Sequence, residues 1–177
     1  MKFLFPTFLI AILVWCAVPS FAQTSKNVEE RGEHHYEMAT KYIKGKKIKK
    51  AIAHLDTLIM LDYELTFAYI YRAQMNTNYA VNFRDTTYFD QALLDYMTCE
   101  KWYADAGSYW FNRAMCEKTY ATRLQNNSRN WSMARNLYNY AKAHFTHAIA
   151  IEPEFAKAGS VDAHIAHIDD ALKRLDE

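Results

Sequence analysis

The sequence predicts an all-α protein, and three observations lead there. Only four glycines and three prolines occur in 177 residues and β-branched runs are scarce, so residues that make tight turns and strands are in short supply. Three segments, "AIAHLDTLIMLDYEL" (51–65), "ALLDYMTCEKWYADA" (92–106) and "AKAHFTHAIAIEPEF" (141–155), share one spacing. In each, a small residue is followed four positions later by a large apolar or aromatic one: Ala51 and Leu55, Ala92 and Tyr96, Ala141 and Phe145. Three further on stands Leu58, Cys99 or Ala148. Steps of four and three stay on one face of an α-helix. The third observation is at the C-terminus, where Val161, Ile165, Ile168, Leu172 and Leu175 form a single apolar stripe with the same steps.

The N-terminus comes first in the chain and reads as a secretory leader. It has one lysine, a nearly unbroken apolar run from Phe3 to Val18, and a small-x-small ending at Ser20-Phe21-Ala22. Residues 1–22 are expected to be a signal peptide cut before Gln23, with 23–31 a linker to the folded part. The apolar run is short of the about 20 residues a membrane span needs, and Pro6 interrupts it. The mature chain is therefore expected not to be an integral membrane protein. Trp15 precedes Cys16, where a lipidation site wants a small residue. The short leader is of bacterial type, so the protein is expected to be exported, to the periplasm or beyond.

The mature chain would hold 155 residues, enough for one domain with its own core. Without Lys2 it carries 20 basic and 20 acidic residues, so no global charge draws it to nucleic acid or membrane. The thirteen tyrosines have no basic surface beside them, which also argues against stacked bases.

A second trio precedes the three helical segments: "HHYEMATKY" (34–42), "AYIYRAQMN" (68–76) and "YWFNRAMCE" (109–117). Each has aromatic residues near its start and then a small residue, Ala39, Ala73 or Ala114. Ala39 to Ala73 is 34 residues and Ala39 to Ala51 is 12. This pattern resembles the tetratricopeptide repeat, a 34-residue helix-turn-helix. The third copy matches best, through Trp110, Ala114, Ala141, Phe145, Ala148 and Pro153. In the first, Tyr63 replaces the final proline and His35 the leading aromatic. Ala73 to Ala92 is 19 and Ala114 to Ala141 is 27, excesses of 7 and 15 that fit about two and four extra helical turns. The second and third hairpins are thus expected to be elongated, with "RLQNNSRNW" (123–131) at the longest tip. The expected fold is an α-solenoid of three hairpins, 32–65, 66–106 and 107–153, with a capping helix in 154–177 over the last apolar face.

The resemblance implies a function as well: a scaffold or adaptor that binds a peptide segment of another protein on its concave face. By register with the family, that face holds Tyr36, Thr40 and Ile43, then Phe67, Ile70 and Gln74, then Ser108, Phe111 and Met115. The competing reading is a metal or small-ligand carrier. His144 and His147 are three apart, as are His164 and His167, and imidazoles so spaced can share a helix face and a metal ion. Both pairs flank core positions without a supporting carboxylate cluster, so no metal site and no cofactor is expected.

Three further features have plainer readings. Cys99 and Cys116 suit buried small positions and could pair only if geometry brings them together. The lysines of "KYIKGKKIKK" (41–50) suit a solvated turn, with an acidic partner or anionic lipid as the functional alternative. "NNS" at 126 and "NWS" at 130 match glycosylation acceptors that matter only in a eukaryotic secretory pathway. No glycine-rich phosphate loop, G-x-S-x-G or C-x-x-C occurs, and an enzyme is not expected.

Overall fold

The computed structural model describes the backbone of residues 7–157 and 160–176 and the side chains of 25–156 and 161–176. Its helices are α1 (Thr7–Lys44), α2 (Ile48–Met60), α3 (Leu65–Phe83), α4 (Thr87–Tyr103), α5 (Gly107–Leu124), α6 (Trp131–Ile151), α7 (Glu154–Lys157) and α8 (Ser160–Asp176), with a 3-10 turn at Ser128–Asn130. No strand occurs among the described residues. The side chains of the expected leader, and residues 1–6 altogether, lie outside the described residues. Among those described, no helix is long and apolar enough to cross a membrane.

The helices pair as hairpins, α1 with α2, α3 with α4 and α5 with α6. Neighbouring hairpins meet through α2 with α3 and α4 with α5, and α7 and α8 close on α6. Each hairpin is built on small against large. Ala39, Ala51, Ala73, Ala92, Ala114 and Ala141 are all fully buried, as are Leu55 and Phe145, and Tyr96 nearly so. A methyl at each crossing lets the backbones approach, and the large side chain one turn on fills the space beside it.

The elongation falls where the spacing places it. The α3 and α4 arms run 19 and 17 residues, and α5 and α6 run 18 and 21, against 13 for α2. The added turns are packed: Phe89 of α4 stacks on Tyr120 of α5 at 4.9 Å, and Leu124, Leu137 and Tyr138 close the tip of the third hairpin. At the C-terminus Val161, Ile168, Ala171 and Leu175 of α8 are buried in the same core, so the apolar stripe is its inward face.

The stretch 23–31, expected as a linker, continues α1 instead. It holds no glycine or proline to break a helix, and Lys26 and Glu30 make an i,i+4 pair at 3.9 Å. Glycine scarcity shows at the turns. α1 ends with Lys46 left-handed at φ 54°, its N–H donating to the Ile43 carbonyl and that of Lys47 to the Tyr42 carbonyl. α2 ends the same way on Asp62, also at φ 54°. Tyr63 then lays its ring against Gly32, where a Cβ would come within 2.4 Å of ring carbon.

Two arginines tie the hairpins together. Arg72, one residue before Ala73, holds buried Asp95 of α4 through two bonds of 2.9 and 2.7 Å and reaches Asp56 of α2 at 2.7 Å. Arg113, one residue before Ala114, bonds Glu100 of α4 at 2.8 Å and buried Glu117 at 3.2 Å, and His144 of α6 meets Glu117 at 2.7 Å. Each ladder spans three helices, so charge pairing sets hairpin register as well as helix pairing.

Phe145→Ala should cost about 3–5 kcal/mol, the range for deleting a buried aromatic, while His147→Ala, at an exposed ring, should cost less than about 1 kcal/mol. Denaturant midpoints at unchanged slope measure both, and the reverse order would remove Phe145 from the core. Arg72→Met leaves the Asp95 carboxylate buried with Gln91 alone and should cost about 3–5 kcal/mol, with Arg72→Met/Asp95→Leu regaining much of it. A cost below about 1 kcal/mol for the single change would show that the ladder does not hold the hairpins.

Candidate functional site

The nine residues assigned to the binding face lie on α1, α3 and α5, and the structure divides them. At the α1–α3 end they form an open surface. Tyr36 is 37% exposed, its ring 4.5 Å from Phe67, and Phe67 is 4.5 Å from Tyr71, so three aromatics step across the two helices. Beside them Tyr36, Glu37, Thr40, Lys41 and Lys44 line a depression of about 420 Å³. Thr40 turns a buried hydroxyl toward no hydrogen-bond partner, a cost normally offset by a bond. Ile43 is half-buried against the small core cluster of the first hairpin.

The other assignments fare differently. Ile70 is buried in the main core and keeps little surface. Gln74 is half-buried. On α5, Ser108 is exposed and Met115 is packed against the main core. Phe111 meets Phe145 edge-on at 5.6 Å and stacks on Phe155 at 5.1 Å, with His164 at 6.2 Å. The chain's own α7 and α8 therefore occupy the α5 end of the face.

The histidine pairs do not converge as the carrier reading requires. His144 and His147 take two sides of Trp110, with ring centroids at 4.9 and 4.8 Å, and the Nδ1 of His144 is engaged by Glu117. His164 stacks on Phe145 at 5.2 Å and meets the Lys118 ammonium at 3.0 Å. Burial pushes the His164 imidazole below its usual range, and Lys118 adds to that. Among the described residues no three histidine, cysteine, aspartate or glutamate side chains group as a metal site.

Cys99 and Cys116 are free and buried, and burial pushes both thiols up to about 12. They are neutral thiols at pH 7, poor nucleophiles and well-packed small residues.

One cluster escaped the reading of the sequence. The Nδ1 atoms of His35 on α1 and His54 on α2 are 2.9 Å apart, and Tyr42 stacks on His54 at 5.4 Å. The signal was present in the repeat register. If Ala39 lies opposite Ala51 in an antiparallel hairpin, a residue four before Ala39 faces one three or four beyond Ala51.

Compared with protein-family models and with curated proteins, the chain matches none of them.

Proposed function

We propose that this is an exported adaptor of tetratricopeptide type, which holds a peptide segment of another protein against the α1–α3 end of its inner face. The observation that carries the reading is the open depression lined by Tyr36, Glu37, Thr40, Lys41 and Lys44, set beside the row of Tyr36, Phe67 and Tyr71 rings. The Tyr36, Phe67 and Tyr71 rings offer flat apolar area to a side chain, and the two lysines suit a carboxylate on the same segment. Phe155 against Phe111 is an internal counterpart: at the α5 end, an aromatic side chain following a turn already lies on this face. Export by a leader cut before Gln23 completes the reading and places the partner in the cell envelope or outside.

Two measurements test it. Intact mass of the exported protein should begin at Gln23, and a chain beginning at Met1 would overturn the leader assignment. Tagged protein should capture one reproducible partner from the envelope, and Tyr36→Ala with Lys41→Glu should weaken that capture by more than about 2 kcal/mol, roughly thirtyfold, at unchanged helicity. Capture that survives this change but is abolished by Lys47→Glu with Lys49→Glu would move recognition to the basic turn and sink the proposed face.

A further inference from the structure

We propose that His35 and His54 form a two-histidine site for a divalent transition-metal ion of the copper(II) or nickel(II) class, which clips α1 to α2. The proposal is independent of the peptide-binding reading.

The two residues are 19 apart in sequence, yet the hairpin sets their Nδ1 atoms 2.9 Å from each other. A metal ion binds imidazole nitrogen at about 2.0–2.1 Å, so two nitrogens at this separation subtend about 90° at the ion. That is the cis angle of a tetragonal centre, whereas tetrahedral zinc would spread them to about 3.3 Å. The 2.9 Å is the hydrogen-bond length of the metal-free pair and is compatible with either ion after a small ring movement, so the choice of copper(II) or nickel(II) rests on the affinity order for imidazole donors, which copper(II) leads.

The protonation state agrees. Burial lowers the proton affinity of both rings, helped by His34 and Arg31 at His35 and by His35 and His34 at His54. Both imidazoles are thus neutral at pH 7. Without metal, one ring must carry its hydrogen on Nδ1 to donate to the other. With metal, both rings carry it on Nε2 and both Nδ1 lone pairs point to the ion. The proton changes nitrogen through solvent, and none is released overall.

The surroundings set the kind of site. Both rings are half-buried, so water can fill the remaining positions, and no third protein ligand joins them among the described residues. The described neighbours are the exposed His34, edge-on to His35 at 5.5 Å, Arg31, and Tyr42, whose ring carries the Lys50 ammonium at 5.5 Å. Arg31 and Lys50 oppose a dication, which makes this an exchangeable site and not a closed structural centre. The rings named in advance are poorer candidates, since the His144 Nδ1 is already bound to Glu117.

The test is titration of the purified, chelator-stripped protein with copper(II) chloride at pH 7.5, followed by visible absorption and electron paramagnetic resonance. The His35→Ala/His54→Ala variant serves as the background for the α-amino group and the other histidines. Wild type should bind one ion more than this variant, with hyperfine coupling from two imidazole nitrogens, and should melt higher with copper only when both rings are present. His35→Ala and His54→Gln should each lower affinity by about tenfold or more, glutamine keeping a hydrogen-bonding side chain at the contact. His144→Ala/His147→Ala should bind as wild type does. Equal stoichiometry and affinity in wild type and the His35→Ala/His54→Ala variant would overturn the site, and zinc(II) bound more tightly than copper(II) would overturn the assignment of the metal.

Discussion

Each hairpin of this protein buries an alanine on both of its helices, and the rest of the architecture depends on the close packing these small residues permit. Ala39 with Ala51, Ala73 with Ala92 and Ala114 with Ala141 have no exposed surface. A larger side chain at any of them would crowd the packed helices, and the large apolar residue one turn on would lose contacts. The methyl group sets interhelical distance, and Leu55, Tyr96 and Phe145 set what fills it. Hydrophobic area alone would leave register free to slip by a turn. The ladders limit this, because Arg72 of α3 meets Asp56 of α2 and Asp95 of α4, Arg113 of α5 meets Glu100 of α4, and His144 of α6 meets Glu117 of α5, each in one register only.

How much of this was legible follows from what kind of rule each feature obeys. Helix spans and hairpin tips follow local periodicity: α3 with α4 runs Leu65–Tyr103 and α5 with α6 runs Gly107–Ile151, the 123–131 stretch falls where α5 gives way to α6, and only α1, which begins at Thr7, starts far from the expected position 32. The extra 7 and 15 residues became longer arms because they carry apolar residues at helical spacing. The continuation of α1 through 23–31 was missed because composition near a leader suggests a linker, while the absence of any helix breaker decided the matter. Site residues were legible only as far as register fixes a face. Register placed Tyr36, Phe67 and Phe111 on first helices, but could not show that Ile70 would be buried in the main core or that Phe155 would lie over Phe111. The His35–His54 contact needed a pairing between helices, which spacing within one helix does not give.

The polar groups divide along the same lines. Where a charge is buried, as at Asp95 and Glu117, it is paired and belongs to the scaffold. The Thr40 hydroxyl, buried without a partner, and the imidazoles of His35 and His54, bonded to each other and to no carboxylate, are all in the first hairpin. The third hairpin has its equivalents filled: His144 is bonded to Glu117, Trp110 donates its indole N–H to the Ala104 carbonyl at 2.7 Å, and Phe111 is covered by the C-terminal helices.

The apolar interior is divided as well, and this bears on how the molecule moves. A small cluster of Ala39, Ala51, Leu55, Leu58, Ala68 and Met75 holds the first hairpin to α3, while a much larger one runs from Ile70 to Leu175. Tyr71 packs against both and is the joint between them. Because helices touch chiefly their chain neighbours, such a stack opens one unit at a time, and the unit with the least buried area opens at the lowest free energy. Breathing therefore concentrates in α1 and α2 while the remaining helices stay closed. A ligand that engages only the closed form of that hairpin damps its local opening by mass action. Occupancy at one end of the chain would then be read out as slower amide exchange in α1 and α2, with the larger core unchanged.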